Sequence, residues 1–515
     1  METIQRARRI NGNFILMGLI ALKFLIHFTL ISPEYDLQRD EFLHLDQANH
    51  LAWGFMSVPP LTSWISFLIK MLGNTLFWIK FFPALFGALT IALVWKTIEA
   101  LEGDLFACLF GACCVTFSVL FRLNILYQPN SFDVLSWTAC FYFFIKYLGN
   151  RQSRWIYALA ISFALGFLNK YNIAFLLIGL LPAIAFNRER KIFTDKKIYY
   201  GIALAFVLIL PNLIWQMSHH FPVMQHMKEL SATQLVHVNR WDFIRSQLLF
   251  FPVTFLVVIF ACYALLRYPP FKPYRLFFWS FVFTIAVFLF LKAKAYYAIG
   301  LYPIYFAFGA VYISSRLKSK AAGIIRVILV LLSIALFIPN YRISFPNKSP
   351  EFIVQHPDKY RKLGMLTWED GKIHPLPQDF ADMLGWKELA RKVDSLYGAM
   401  PNPKHTLILC DNYGQAGAIN YYSKRGVKAS SFSADYLNWM DVDTKYDNLI
   451  RVKVASESEG EMGTTAPYFE HAIKADSISN RYAREYQTSI FCFTGAKIDI
   501  NARIRKELAA AKKQE

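Results

Sequence analysis

"QRDEFLHLDQANHLAWGFMSVPPL", residues 38–61, decides how this chain is read. It follows "FILMGLIALKFLIHFTLI" (14–31), an apolar stretch long enough to span a bilayer. Arg39, Asp40 and Glu41 therefore stand where the chain leaves the lipid. Phe42, Leu45, Ala48, Ala52 and Phe55 recur at three- and four-residue steps, which predicts a helix over 39–54 with one apolar stripe. Asp40, His44 and Gln47 share a second, polar stripe, and Gly54 can end the helix. "SVPP" then breaks the chain, and "LTSWISFLIKMLG" gives a second amphipathic helix with Gly73 as its cap. Two helices with one greasy face each, next to a span, are expected to lie in the membrane interface.

Composition agrees with a membrane protein. Of 515 residues, 55% are hydrophobic and 18% charged, against about 25% charged in soluble domains. Eleven apolar stretches qualify as spans: roughly 14–31, 76–95, 104–121, 132–148, 155–169, 172–187, 199–217, 246–266, 276–292, 297–313 and 323–339. The net charge of +19 is concentrated in alternate connections: the N-terminus, 146–154, 187–197, 267–275 and 314–320. By the positive-inside rule these are cytoplasmic, with the acidic 96–104 loop as the weak member. The opposite side then receives 32–75, the 218–245 loop and everything after about 340. The basic head and uncleaved apolar run of the N-terminus read as a signal anchor.

Residues 341–515 change character. Apolar runs shorten and charge rises. "HTLILCDNYGQAGAINYYSKRG" reads as strand, turn and helix, and "SIFCFTGAKIDI" as a strand. The expected architecture is a polytopic α-helical membrane domain (1–340) followed by an extracytoplasmic mixed α/β domain (341–515). Five of the seven cysteines lie in apolar runs; Cys410 and Cys492 lie in the tail and could pair in an oxidising compartment, though nothing requires it. There is no Gly-rich phosphate loop, which disfavours nucleotide-sugar chemistry, and the placement of the charge gives no reason to invoke nucleic acid.

The 39–61 loop resembles the first external loop of GT-C glycosyltransferases, in the bacterial branch related to protein O-mannosyltransferases and aminoarabinose transferases. "LGFLNKYNIAFLLIGLL", "LILPNLIWQMSHHFPVMQH" and "KAKAYYAIGLYPIYFAFGA" are similar to the same family, and "LGWKELARKV" and "DNYGQAGAINYY" weakly so. The resemblance covers most of 10–340. It implies a multi-pass inner-membrane enzyme, an extracytoplasmic active site and a polyprenyl-phosphate-sugar donor. Its catalytic base falls on Asp40 or Glu41, with Asp40 preferred.

That chemistry needs a base for the acceptor hydroxyl, cations for the departing phosphate and a groove for the prenyl chain. Asp40 is the expected base of an inverting transfer, with Glu41 positioning it. Lys80, Lys170, Lys292 and Lys294 are the candidate phosphate-binding cations, with hydroxyl contacts from Tyr296 and Tyr297. Snorkelling accounts for Lys170 equally well, and an interfacial aromatic belt nearly as well for the tyrosines. Arg39, His44, Asp133, Arg122 and His220 are candidates for sugar or acceptor contact. Asp133 would otherwise simply pair with Arg122. His219, His220 and His226 cluster in one loop, but the acidic residue that accompanies a metal in some relatives is missing before "SVPP", so a divalent metal is not favoured. A lipid, a glycan or a protein remains open as acceptor. The competing reading is a transporter or flippase, against which stand the absence of inverted repeats and the gathering of charge at one face.

Overall fold

The computed structural model of the chain describes residues 2–252, 254–319 and 322–514. The first three hundred and forty residues are helical, and helices fall on all eleven apolar stretches. The 104–121 stretch is broken into Leu105–Thr116 and Val119–Leu123. The 246–266 stretch crosses a sharp bend between Arg240–Phe250 and Thr254–Arg267, and its residue 253 lies outside the described residues. Among the described residues, five helices are long and apolar enough to cross a membrane, or seven if each of two bent pairs makes one span. Asn130–Asn150 carries Asp133 and Lys146 within its length, which lowers its apolar character.

The helical body packs around a central helix, Tyr302–Arg316, whose side chains are buried along most of its length. Small residues let backbones cross closely here, as expected where no water drives helices together. A Cβ on Gly309 would lie 2.2 Å from the Val257 carbonyl oxygen of the Thr254–Arg267 helix. Outward faces are apolar instead: Ile324, Val327 and Leu331 of Ala322–Ile343 are more than half exposed, as a lipid-facing belt requires.

The loop reading holds with one refinement. The first loop helix runs Arg39–Asp46 and tightens into a 3-10 turn, Gln47–Asn49, so it ends before Gly54. The second runs Leu61–Met71, and Gly73 follows it at φ +100°, a conformation glycine adopts without strain.

The C-terminal part is a mixed five-stranded sheet in the order β2-β1-β3-β5-β4. The strands are β1 (Thr406–Cys410), β2 (Ala429–Ser431), β3 (Asn448–Lys453), β4 (Phe469–Ser477) and β5 (Ser489–Ala496). β1 pairs parallel with β2 and β3, and β5 pairs antiparallel with β3 and β4. Cys410 and Cys492 are both buried free thiols. They sit on β1 and β5 with β3 between them, about 10 Å of strand spacing, so no disulfide can bridge them.

This domain is seated on the first loop through both polar and apolar contacts. Asp36 accepts hydrogen bonds from the backbone N–H groups of Trp386 and Lys387, at 3.0 and 3.1 Å, and so caps the Trp386–Ala399 helix. Asp435 accepts from the Met56 N–H and from the Gln47 amide, at 2.8 and 2.9 Å. Phe42 packs against Trp386, Tyr421 and Tyr422.

Candidate active site

Gln38 starts the loop helix. Its side chain accepts from the Asp40 N–H, and its own N–H donates to the Glu41 carboxylate, both at 2.8 Å. This reciprocal cap fixes two neighbouring carboxylates in different directions. Glu41 turns inward and is fully buried. The Lys80 ammonium donates to its two oxygens at 2.6 and 2.9 Å, and the Tyr127 N–H donates at 2.6 Å. Asp40 turns the other way, into a cleft of about 750 Å³.

The cleft is where the separated parts of the sequence meet. Arg39, Asp40 and His44 come from the loop helix, and Met56–Val58 from the stretch before the double proline. Gln128–Asn130, Lys170, and Tyr296 with Tyr297 come from helix ends. The Pro222–Thr233 helix brings His226 and Glu229, and the C-terminal domain brings Tyr413 and the 432–434 turn.

Asp40 accepts from the Tyr413 hydroxyl at 2.7 Å and from the Gln128 amide at 3.2 Å. Arg39 Nε lies 3.6 Å away, too far for a hydrogen bond, and has no hydrogen-bond partner among the described residues. Burial alone would raise the Asp40 pKa, but the Arg39 charge and the Tyr413 hydrogen bond more than offset it and hold the carboxyl below its ordinary 3.8. Asp40 is thus ionised at neutral pH. Burial lowers the His44 pKa, so this imidazole is neutral there; it bonds Gln47 at 3.3 Å.

The Lys170 ammonium enters the cleft with one acceptor, Asn130 Oδ1 at 2.7 Å, and lies 5.0 and 4.8 Å from the Tyr296 and Tyr297 ring centres. Such cation–π contact holds a charge without neutralising it.

Other expected members go elsewhere. Lys80 is consumed by Glu41 and does not line the cleft, so neither member of that pair is free to meet a substrate. Lys294 pairs with Glu369 at 2.6 Å and bonds Gln234 at the cleft edge. Lys292 is exposed in a left-handed turn outside the cleft, at φ +51°. His220 is exposed in a similar turn, at φ +60°, and it is His226 that reaches the cleft. The Arg122–Asp133 pairing does not form. Arg122 bonds Asp379 of the C-terminal domain at 3.1 Å, and Asp133 accepts from Trp137 and Asn172 at 3.1 and 2.9 Å. Among the described residues, no group of three or more His, Cys, Asp or Glu is placed to hold a metal ion.

A second, more apolar cavity of about 610 Å³ lies beside the first, walled by Leu249, Phe250, Leu336, Pro339 and Ile343. Glu369 lines it, so the Lys294–Glu369 pair stands between the two cavities.

Sequence reasoning missed Tyr413. The available signal was the pair Gly414 and Gly417 inside an otherwise helical pattern. Each glycine costs about 1 kcal/mol relative to alanine there, so two imply a close backbone approach.

Residues 57–215 match the family model described as dolichyl-phosphate-mannose-protein mannosyltransferase. The chain is 24% identical over 243 residues to the lipid A galacturonosyltransferase RgtD of Rhizobium johnstonii (strain DSM 114642 / LMG 32736 / 3841). That match takes in 43% of this chain and 50% of the relative, so the chain spans about half the length of the curated relative it matches. Two crystal structures of ArnT from Cupriavidus metallidurans share the fold. The undecaprenyl-phosphate-bound form has a TM-score of 0.60 at 11% identity and covers 95% of this chain and 99% of ArnT. The apo form has a TM-score of 0.59 at 12% identity and covers 94% and 98%. The chain thus shares an ArnT-like fold over nearly its whole length, and its residues 57–215 are similar to a glycosyltransferase family.

Proposed function

We propose that the protein transfers a sugar from a polyprenyl-phosphate donor to an acceptor hydroxyl or phosphate on the extracytoplasmic face, with inversion and with Asp40 as base. The observation that carries this is one ionised carboxylate that shares its cleft with two cations, its neighbour Arg39 and Lys170, beside an apolar cavity. For a hydroxyl acceptor, Asp40 takes its proton. The acceptor oxygen attacks the sugar's anomeric carbon from the side opposite the phosphate, and the bond from that carbon to the phosphate oxygen breaks. The polyprenyl phosphate leaves with the electron pair, and Arg39 and Lys170 stabilise its growing charge. In a site edged by lipid such charges act strongly, because little water screens them. The apolar cavity suits the prenyl chain.

Charge and convergence support this sidedness. Every connection that the basic-loop count assigns to the outer side contributes to the cleft, and none of the basic connections does. An inner-membrane protein with a cytoplasmic N-terminus and an external C-terminal domain agrees with that. The relatives support undecaprenyl phosphate as the lipid carrier and lipid A as the first acceptor to assay.

The test is to supply the purified protein with a panel of polyprenyl-phosphate sugars and lipid A, and to follow release of polyprenyl phosphate. The expected result is consumption of one donor and an Asp40→Asn variant slower by about 10²–10⁴-fold. No consumption of any donor, or full activity in Asp40→Asn, overturns the reading.

A further inference from the structure

We infer that Tyr413 is a positioning residue for Asp40, so that the C-terminal domain completes the transfer site. This rests on Asp40 being the base. Tyr413 opens the Tyr413–Tyr422 helix and lies 373 positions from Asp40, yet its hydroxyl donates to Asp40 Oδ1 at 2.7 Å.

The contact is built in depth. The helix start is fixed by Asn412, whose side chain accepts from the Gln415 N–H at 3.0 Å. Asn412 and Gln415 in turn donate to the buried Glu485, at 3.1 and 2.7 Å. Two glycines one turn apart then bring this helix against the loop helix. A Cβ on Gly414 would lie 2.4 Å from Arg39 Cγ, and one on Gly417 would lie 2.7 Å from Phe42 Cβ. The approach leaves the Tyr413 ring beneath Arg39, whose guanidinium carbon is 5.0 Å from the ring centre. Arg39 is held from the other side as well, by its N–H on the Asp382 carbonyl at 3.1 Å. One phenol therefore does two things. It orients the carboxylate, and it holds the arginine that faces the same cleft.

A hydrogen bond donated to a carboxylate favours its ionised form. Deleting it raises the Asp40 pKa, so the acid limb of the kcat/KM profile moves to higher pH. The other charged or titratable groups facing Asp40 are Arg39 and His44 on its own helix, Arg484 and Asp382 from the C-terminal domain, and Tyr296 from the opposite wall. None of them is changed by Tyr413→Phe, which also keeps the ring under Arg39.

The experiment measures pH profiles of donor consumption for the wild type, Tyr413→Phe and Asp40→Asn, with donor KM and the thermal midpoint of each. For Tyr413→Phe we expect kcat lower by about tenfold or more, donor KM within about twofold, and an acid limb displaced upward. A purely structural tyrosine would lower activity equally at every pH. If Tyr413→Phe loses thermal stability, 3-fluorotyrosine at position 413 replaces it as the variant. That phenol is a stronger donor and should move the limb downward. An unmoved limb in whichever variant is stable overturns the inference. Full activity in Asp40→Asn overturns the parent reading instead, so the two failures are separable.

Discussion

Asp40 and Glu41 carry the same functional group one residue apart, and removing the charge of each should have opposite consequences. Glu41 is fully buried, and the Lys80 side chain is 4% exposed. Glu41→Gln strands the Lys80 ammonium among apolar neighbours, which costs about 3–5 kcal/mol. Lys80→Met strands the carboxylate instead. Two backbone donors, from Gln38 and Tyr127, still solvate it, so the cost falls at about the lower end of that range. The double variant Glu41→Gln/Lys80→Met buries no charge and should recover most of the loss, staying about 1 kcal/mol below the wild type, a non-additivity of about 5–7 kcal/mol. A domain of 150–250 residues loses about 2–4 °C per kcal/mol, and a body twice that size about half as much. Single variants should therefore unfold about 3–10 °C early, and the double variant within about 3 °C of the wild type. Tryptophan fluorescence of the purified protein in detergent reads the midpoints. Asp40→Asn in the same assay should move by no more than about 2 °C, since Asn Oδ1 still accepts from Tyr413. Single variants at the wild-type midpoint, or a double variant whose loss equals the sum of the singles, would refute the closed pair and the division of roles drawn from it.

Gly417→Ala places a Cβ 2.7 Å from Phe42 Cβ and 3.3 Å from the Phe42 carbonyl carbon, so docking of the C-terminal domain should weaken by about 1–3 kcal/mol; faster release of that domain by limited proteolysis checks it. Burial raises the Asp435 pKa from 3.8 to about 6, because only the neutral Met56 N–H and Gln47 amide face it. The folded state then binds a proton that the unfolded state releases between about 4 and 6, so the thermal midpoint should rise as pH falls from 7 to 5. Asp435→Asn should keep only the part of that rise due to the other buried carboxylates, among them Asp382, whose pKa burial raises to about 6 against the opposing pull of Arg39 and Arg484, and Asp46, whose pKa burial also raises. A cysteine placed at the half-exposed Trp53 should react with an impermeant maleimide in intact spheroplasts, above the background of the native cysteines; reaction only after lysis would reverse the topology.

The helical body was legible because apolar runs of membrane length are long signals that local context seldom overturns. The loop was legible for the opposite reason: its carboxylates, double proline and amphipathic stripes form a short but uncommon set. What could not be read were pairings between distant residues. Nothing near Glu41 announces that its partner is Lys80, 39 positions on, so the sequence assigns Lys80 to the phosphate and Glu41 to positioning Asp40. Arg122 had Asp133 close by in sequence and takes Asp379 instead, 257 positions away. Lys294 likewise meets Glu369 of the same C-terminal segment. In each case the sequence supplied the charge, and the seating of the C-terminal domain or the burial of the loop helix decided its partner.

The shortness of that helix explains why so much is invested around it. Arg39–Asp46 is eight residues, well below the length at which an isolated helix holds in water. It persists because two independent bodies grip it. From the membrane side Lys80 fixes Glu41, and from the C-terminal domain the Gly414–Gly417 face closes on Arg39 and Phe42. Asp40 is the residue between these grips that takes a hydrogen bond from each, Gln128 on one side and Tyr413 on the other, so its direction is set by the relative placement of the two bodies. A rigid helix inside either body could not transmit that placement. The carboxylate is therefore held by both bodies at once, and lifting the C-terminal domain would remove the Tyr413 half of that hold.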